Sequence, residues 1–102
     1  MTRYTVSFIL YYMFVSVVLD PGSADSAKAL ANVLVQHSFK RIQPGCWENS
    51  RMSEKDLPQL KKDLDSVTDF YDTLRLYQFP VNDCFAITEL QEKKWKKCLL
   101  RG

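Results

Sequence analysis

The run Met13-Phe14-Val15-Ser16-Val17-Val18-Leu19, closed by Asp20-Pro21-Gly22, constrains what this chain can fold into more than any other stretch. Rich in β-branched and aromatic residues, it suits a pleated strand better than a helix. Its nearly continuous apolar character predicts a strand buried on both faces, which makes it the centre of a sheet. Pro21-Gly22 ends it in a turn. A chain of 102 residues has room for one core, so the rest of the domain must be organised around this strand.

The uncharged run starts earlier, at Tyr4, just after Arg3, and a secretory segment covering the first 24 residues competes with the strand. Gly22-Ser23-Ala24 offers a cleavage site. The 16 residues from Tyr4 to Leu19 fall short of the ~20 that a membrane span needs. They are rich in Val, Tyr and Phe rather than Leu and Ala, and their end looks like a strand meeting a turn. Cys46, Cys84 and Cys98 are odd in number, widely spaced and without a C-x-x-C pair or a nearby histidine, which argues against a zinc site and a disulfide framework. Three reduced thiols and no membrane segment predict a cytoplasmic protein. Residues 1–11 are expected to extend the first strand or pack outside it.

Beyond the turn, Ala27, Leu30, Ala31 and Leu34 recur at helical spacing, with Ser23 or Asp25 able to cap, and predict a helix from about Ala24 to His37. Residues 38–42 alternate in polarity up to Pro44-Gly45, and 46–52 follow as the hairpin partner. Ser53 is the expected cap of a second helix carrying the stripe Leu57, Leu60, Leu64 and Val67, with Pro58 tolerated in its first turns. Residues 73–79 have period two, with Leu74, Leu76 and Gln78 on one side and Thr73, Arg75, Tyr77 and Phe79 on the other. A further strand covers 84–88, and the basic tail 91–102 is helical or loose. The order β-α-β-β-α-β with an additional C-terminal strand predicts one α+β domain over 1–102, a ferredoxin-like sandwich with both helices on one sheet face. The other face is left open, and a second copy is its natural cover, giving a homodimer.

Asp20 is the leading candidate for chemistry. A carboxylate at the end of a buried strand is held rigidly near solvent, as a metal ligand must be, although Asp before Pro-Gly is also an ordinary turn residue. One carboxylate binds Mg²⁺ poorly, and no second acid stands at an obvious ligand spacing, though Asp25 could approach. Two copies meeting at Asp20 would create a −2 site that needs a cation. His37, the only histidine, is expected to cap the end of the first helix rather than act in catalysis. In the tail, Lys93-Lys94-Trp95-Lys96-Lys97 interleaves an indole with four ammonium groups, which suits phosphate neutralisation with stacking, or docking on a protein partner.

Three pieces stand in order: the apolar strand ending in Asp20, the hairpin Arg41-Ile42-Gln43-Pro44-Gly45-Cys46-Trp47-Glu48, and the strand Asp72-Thr73-Leu74-Arg75-Leu76-Tyr77. Together, over about residues 12–90, they resemble the small CRISPR-associated protein family Cas two. Gly45 stands at its hairpin serine, Trp47 at its phenylalanine, and Ser23 to Lys28 replace the arginines common at its first helix. The resemblance implies a ferredoxin-like homodimer, with Asp20 as metal ligand and catalytic residue, and with Gln43, Trp47, Glu48, Arg75 and Tyr77 helping to build fold and dimer. It implies a divalent cofactor such as Mg²⁺. Members are described as metal-dependent endonucleases on RNA or DNA, and as bridges between dimers of the CRISPR integrase, Cas one, during spacer acquisition. Its partners would thus be a second copy, the integrase, double-stranded DNA and single-stranded RNA. The VapD ribonuclease toxins share the fold and are the alternative.

Overall fold

The computed structural model describes residues 12–101; expectations for residues 1–11 lie outside it. The elements run β1 (Tyr12–Asp20), α1 (Ala24–Gln36), β2 (Lys40–Gln43), β3 (Cys46–Ser53), a 3-10 turn (Glu54–Asp56), α2 (Leu57–Ser66), β4 (Thr73–Val81), β5 (Cys84–Gln91) and β6 (Lys94–Leu100). The six strands form one sheet in the order β2-β3-β1-β4-β5-β6, every neighbouring pair antiparallel. This small α+β arrangement is compatible with a ferredoxin-like fold, since β1-α1-β2 and β3-α2-β4 each step over one intervening strand.

Period two in the strands and period 3.6 in the helices bring one apolar set together. Met13, Val15 and Val17 of β1 meet Leu74 and Leu76 of β4, Trp47 of β3 and Leu90 of β5. From above, Leu30, Val33 and Leu34 of α1 and Leu57, Leu60 and Leu64 of α2 close the core. Each fully buried leucine contributes about 1.5–3 kcal/mol of apolar burial, which is why the helices stay on the sheet despite modest helix propensity. Ser23 caps α1 as expected, its hydroxyl accepting from the Ser26 amide at 3.1 Å.

Three expectations are corrected. β1 is buried on one face only, because both helices lie on the side of its odd-numbered residues, while Tyr12, Phe14 and Val18 are exposed. Ser53 caps no helix: a 3-10 turn intervenes, and its buried hydroxyl has no partner among the described residues. His37 closes α1 as expected, through its backbone amide, which reaches the Val33 and Leu34 carbonyls, and its ring bonds Asp63 Oδ2 of α2 at 2.8 Å and ties the helices together. The basic tail is a strand. Glu92 and Lys93 both take left-handed φ, 51° and 61°, and turn the chain into β6 beside β5.

Among the described residues, no helix is long and apolar enough to cross a membrane. From Tyr12 onward the apolar run is β1, and cleavage at Gly22-Ser23-Ala24 would remove the strand with which both β3 and β4 pair.

Candidate functional site

Asp20 is the last residue of β1, exposed and paired in register with Thr73 of β4. The turn after it is clamped from two sides. On one side the Pro44-Gly45 hairpin hooks onto β1: the Leu19 amide donates to the Gly45 carbonyl at 2.7 Å. Gly45 makes this approach with φ +77°, a conformation that costs glycine little, and a Cβ there would stand 3.1 Å from the Leu19 carbonyl oxygen. On the other side the Gly22 amide donates to Asp72 Oδ1 at 2.7 Å. A Cβ on Gly22 would stand 2.7 Å from the Tyr71 Cβ, so only glycine lets the two loops approach this closely.

Asp72 is the strut of this corner. It is 1% exposed, and its second oxygen accepts from the Asp69 amide at 2.8 Å. Burial pushes its carboxyl up, but the Gly22 and Asp69 amides together with Ser26 outweigh it, and the group titrates below the usual carboxylate range. Sequence reasoning placed Asp72 only inside a motif. Its strut role depends on a contact with a residue far away in the chain.

The face of the sheet opposite the helices carries four cross-strand rows. Phe14 pairs with Phe79, whose ring lies 6.3 Å from that of Phe85, and Phe85 pairs with Leu100. Next come Glu48, Ser16, Tyr77, Ile87 and Cys98; then Cys46, Val18, Arg75, Glu89 and Lys96. Last come Asp20, Thr73, Gln91 and Lys94. The face therefore runs from apolar at one end to charged at the Asp20 end. Phe14, Phe79, Phe85 and Leu100 are between 38% and 49% exposed, an uncovered apolar band of the kind that marks an interface.

The other expected site residues divide by face. Trp47 is buried in the core under the helices, a fold residue. Gln43, in register with Cys46, is exposed at the edge hairpin. Glu48, Arg75 and Tyr77 lie on the open face, where Arg75 reaches the Tyr77 hydroxyl at 3.5 Å and Glu89 at 3.7 Å. The lysine run is split by the strand. Lys93 caps the end of α2, its Nζ donating to the Asp65 carbonyl at 2.6 Å and the Thr68 carbonyl at 3.1 Å. Lys94 and Lys96 share the open face with Asp20, while Trp95 and Lys97 take the helix side.

Asp20 is a single carboxylate at this corner. Asp72 is committed to backbone amides, and among the described residues no group of three or more His, Cys, Asp or Glu side chains gathers at metal-binding distance. The Asp20 carboxylate is exposed and makes no hydrogen bond or ion pair among the described residues. On the helix side of the same strand end, Leu19, Lys28, Arg41, Gly45 and Trp47 line a hollow of about 420 Å³ that sets two cations beside this corner. Set against known proteins, the chain matches no family model, no curated protein and no solved structure.

Proposed function

We propose that this chain is a homodimeric, ferredoxin-like protein of the Cas two type, acting in the cytoplasm during CRISPR spacer acquisition. Two copies stack their open sheet faces, bridge integrase dimers and hold protospacer DNA, and the paired Asp20 side chains form a divalent-metal endonuclease site. The observation that carries this reading is that Asp20 and the uncovered apolar band belong to one face, so the contact that buries the band can also bring two carboxylates together. The order of the three sequence pieces and the strand order support it.

Within this reading each part of the corner has a task. Gly45 and Asp72 fix the turn, so that Asp20 meets its copy without an ordering cost at binding. Mg²⁺ between the two carboxylates would supply a water activated for attack on a phosphodiester. Lys28 and Arg41, close to the same strand end, neutralise backbone phosphates.

The deciding experiment is Asp20→Asn, assayed for metal-dependent hydrolysis of RNA and DNA and for integrase-dependent spacer integration, alongside co-purification with the integrase. Hydrolysis is expected to disappear while integration and co-purification persist. Metal-dependent cleavage that survives the substitution removes Asp20 from the chemistry. RNA cleavage by a protein that does not bind the integrase replaces the adaptation role with that of a toxin ribonuclease.

A further inference from the structure

On the side of the sheet away from Asp20, α2 and the edge strand β6 leave a cleft of about 300 Å³, large enough for one nucleotide. Its lining includes Lys61 and Lys62 from α2, Trp95 and Lys97 from β6, and Thr88 from β5. Strand alternation explains the set, because Trp95 and Lys97 are two apart and share the helix side. The lysines come from segments more than thirty residues apart, and only the fold assembles them.

Electrostatics mark the cleft as unfinished. The one acid in its wall, Asp65, is matched by Lys93 at 3.4 Å. Lys61, Lys62 and Lys97 have no acidic partner within ion-pair distance among the described residues. Partial burial first, and then the nearby charge of Lys97, push the Lys61 ammonium below the usual lysine range. Thr88 is 2% exposed, and its hydroxyl already accepts from Gln78 Nε2 at 2.7 Å, which leaves its own proton to donate. Trp95 is half-buried, fixed by the core on one side and present in the cleft wall on the other.

We propose that this cleft binds single-stranded nucleic acid through one nucleotide, its phosphates neutralised by Lys61, Lys62 and Lys97 and its base or sugar carried by the Trp95 indole. The site is separate from Asp20 and stands or falls independently of the metal reading. It also divides the basic run by role: Lys93 belongs to the fold, while Trp95 and Lys97 belong to the ligand.

The test is anisotropy of a labelled short oligothymidylate titrated with the full chain over a range of salt concentrations. For Lys61→Gln/Lys97→Gln, the loss of two phosphate contacts lowers the salt slope by about 1.4 and weakens binding roughly 25-fold at ~0.1 M salt. Lys55→Gln, outside the cleft, keeps wild-type affinity. The melting temperature of the double variant stays level or rises, because like-charge repulsion is removed; a scaffold role for these lysines would lower it. Binding by the double variant within twofold of wild type, with an unchanged slope, overturns the proposal. An acidic peptide that displaces the oligonucleotide as well as unlabelled oligonucleotide does also overturns it.

Discussion

The Gly22 amide and Asp72 Oδ1 lie 2.7 Å apart although fifty residues separate them in the chain, and this bond joins the turn after β1 to the loop before β4. It turns a flexible Asp-Pro-Gly corner into a fixed one. Asp69 completes the knot, giving its amide to Asp72 and accepting the Tyr71 amide at 2.8 Å.

Asp72→Asn tests the strut. The amide keeps the shape but presents an NH₂ group to a backbone donor, and hydrogen bonds to a charged acceptor contribute about 1.5–3 kcal/mol, so a loss of about 2–3 kcal/mol is expected. The pH sign follows from a carboxyl titrating below its ordinary value in the folded chain. Its stabilisation is fully present above the ordinary carboxylate pKa and is lost as pH falls through the lowered folded value, in a window below about pH 4. Urea denaturation across that window should show wild-type stability falling more steeply than that of Asp72→Asn. Parallel curves would remove the strut.

Gly22→Ala probes the same corner sterically. The new methyl carbon would press on Tyr71 at 2.7 Å from its Cβ and 2.9 Å from its carbonyl oxygen, both too rigid to yield without moving the loop. A cost of about 1–3 kcal/mol is expected. Ser23→Gly, which leaves the corner alone, costs only a few tenths, roughly the Ser-to-Gly difference at a helix cap. Equal melting temperatures for the two variants would contradict the close approach.

What the sequence disclosed depended on whether the signal was local. Both helices and the inward set Leu74, Leu76 and Gln78 followed from periodicity, because burial repeats with the geometry of the element. The strand ending in Asp20 followed from its apolar run, which marks a strand but hides that one of its faces is open. The face shared by Asp20 and the aromatic rows required the register between strands, which periodicity leaves open. β6 escaped for a chemical reason. Two-residue hairpins are announced by Asn-Gly or Asp-Gly, residues at ease with positive φ, and here the turn is Glu92-Lys93. The lysine cleft was invisible because Lys61 and Lys97 meet only in three dimensions.

That unannounced turn yields its own prediction. Glu92 at φ 51° bears a cost that Asn largely avoids, and Lys93 offsets its own cost through the bonds of Nζ to the end of α2. Glu92→Asn should therefore stabilise the protein by about 0.5–1 kcal/mol, raising the melting temperature by about 2–6 °C. A scanning calorimetry trace showing a lower melting temperature would mean that Glu92 contributes something its backbone angle does not reveal.

The open face gives the sharpest test of assembly. Phe79 is 49% exposed and central to the aromatic row, so Phe79→Lys should leave the far-ultraviolet spectrum of the chain intact while converting a sedimenting dimer to monomer. Asp20 adds a metal-dependent sign. Two carboxylates converging without a cation repel by about 1 kcal/mol at ~4 Å in water, roughly fivefold in dissociation constant. In chelator, Asp20→Asn should dimerise more tightly than wild type by about that factor. In Mg²⁺ the order should close or reverse, because only the wild type can share the ion. Sedimentation equilibrium of both proteins under both conditions reads all four values. A wild-type dimer indifferent to Mg²⁺ and to the charge at Asp20 would place the two carboxylates far apart, on surfaces that never meet.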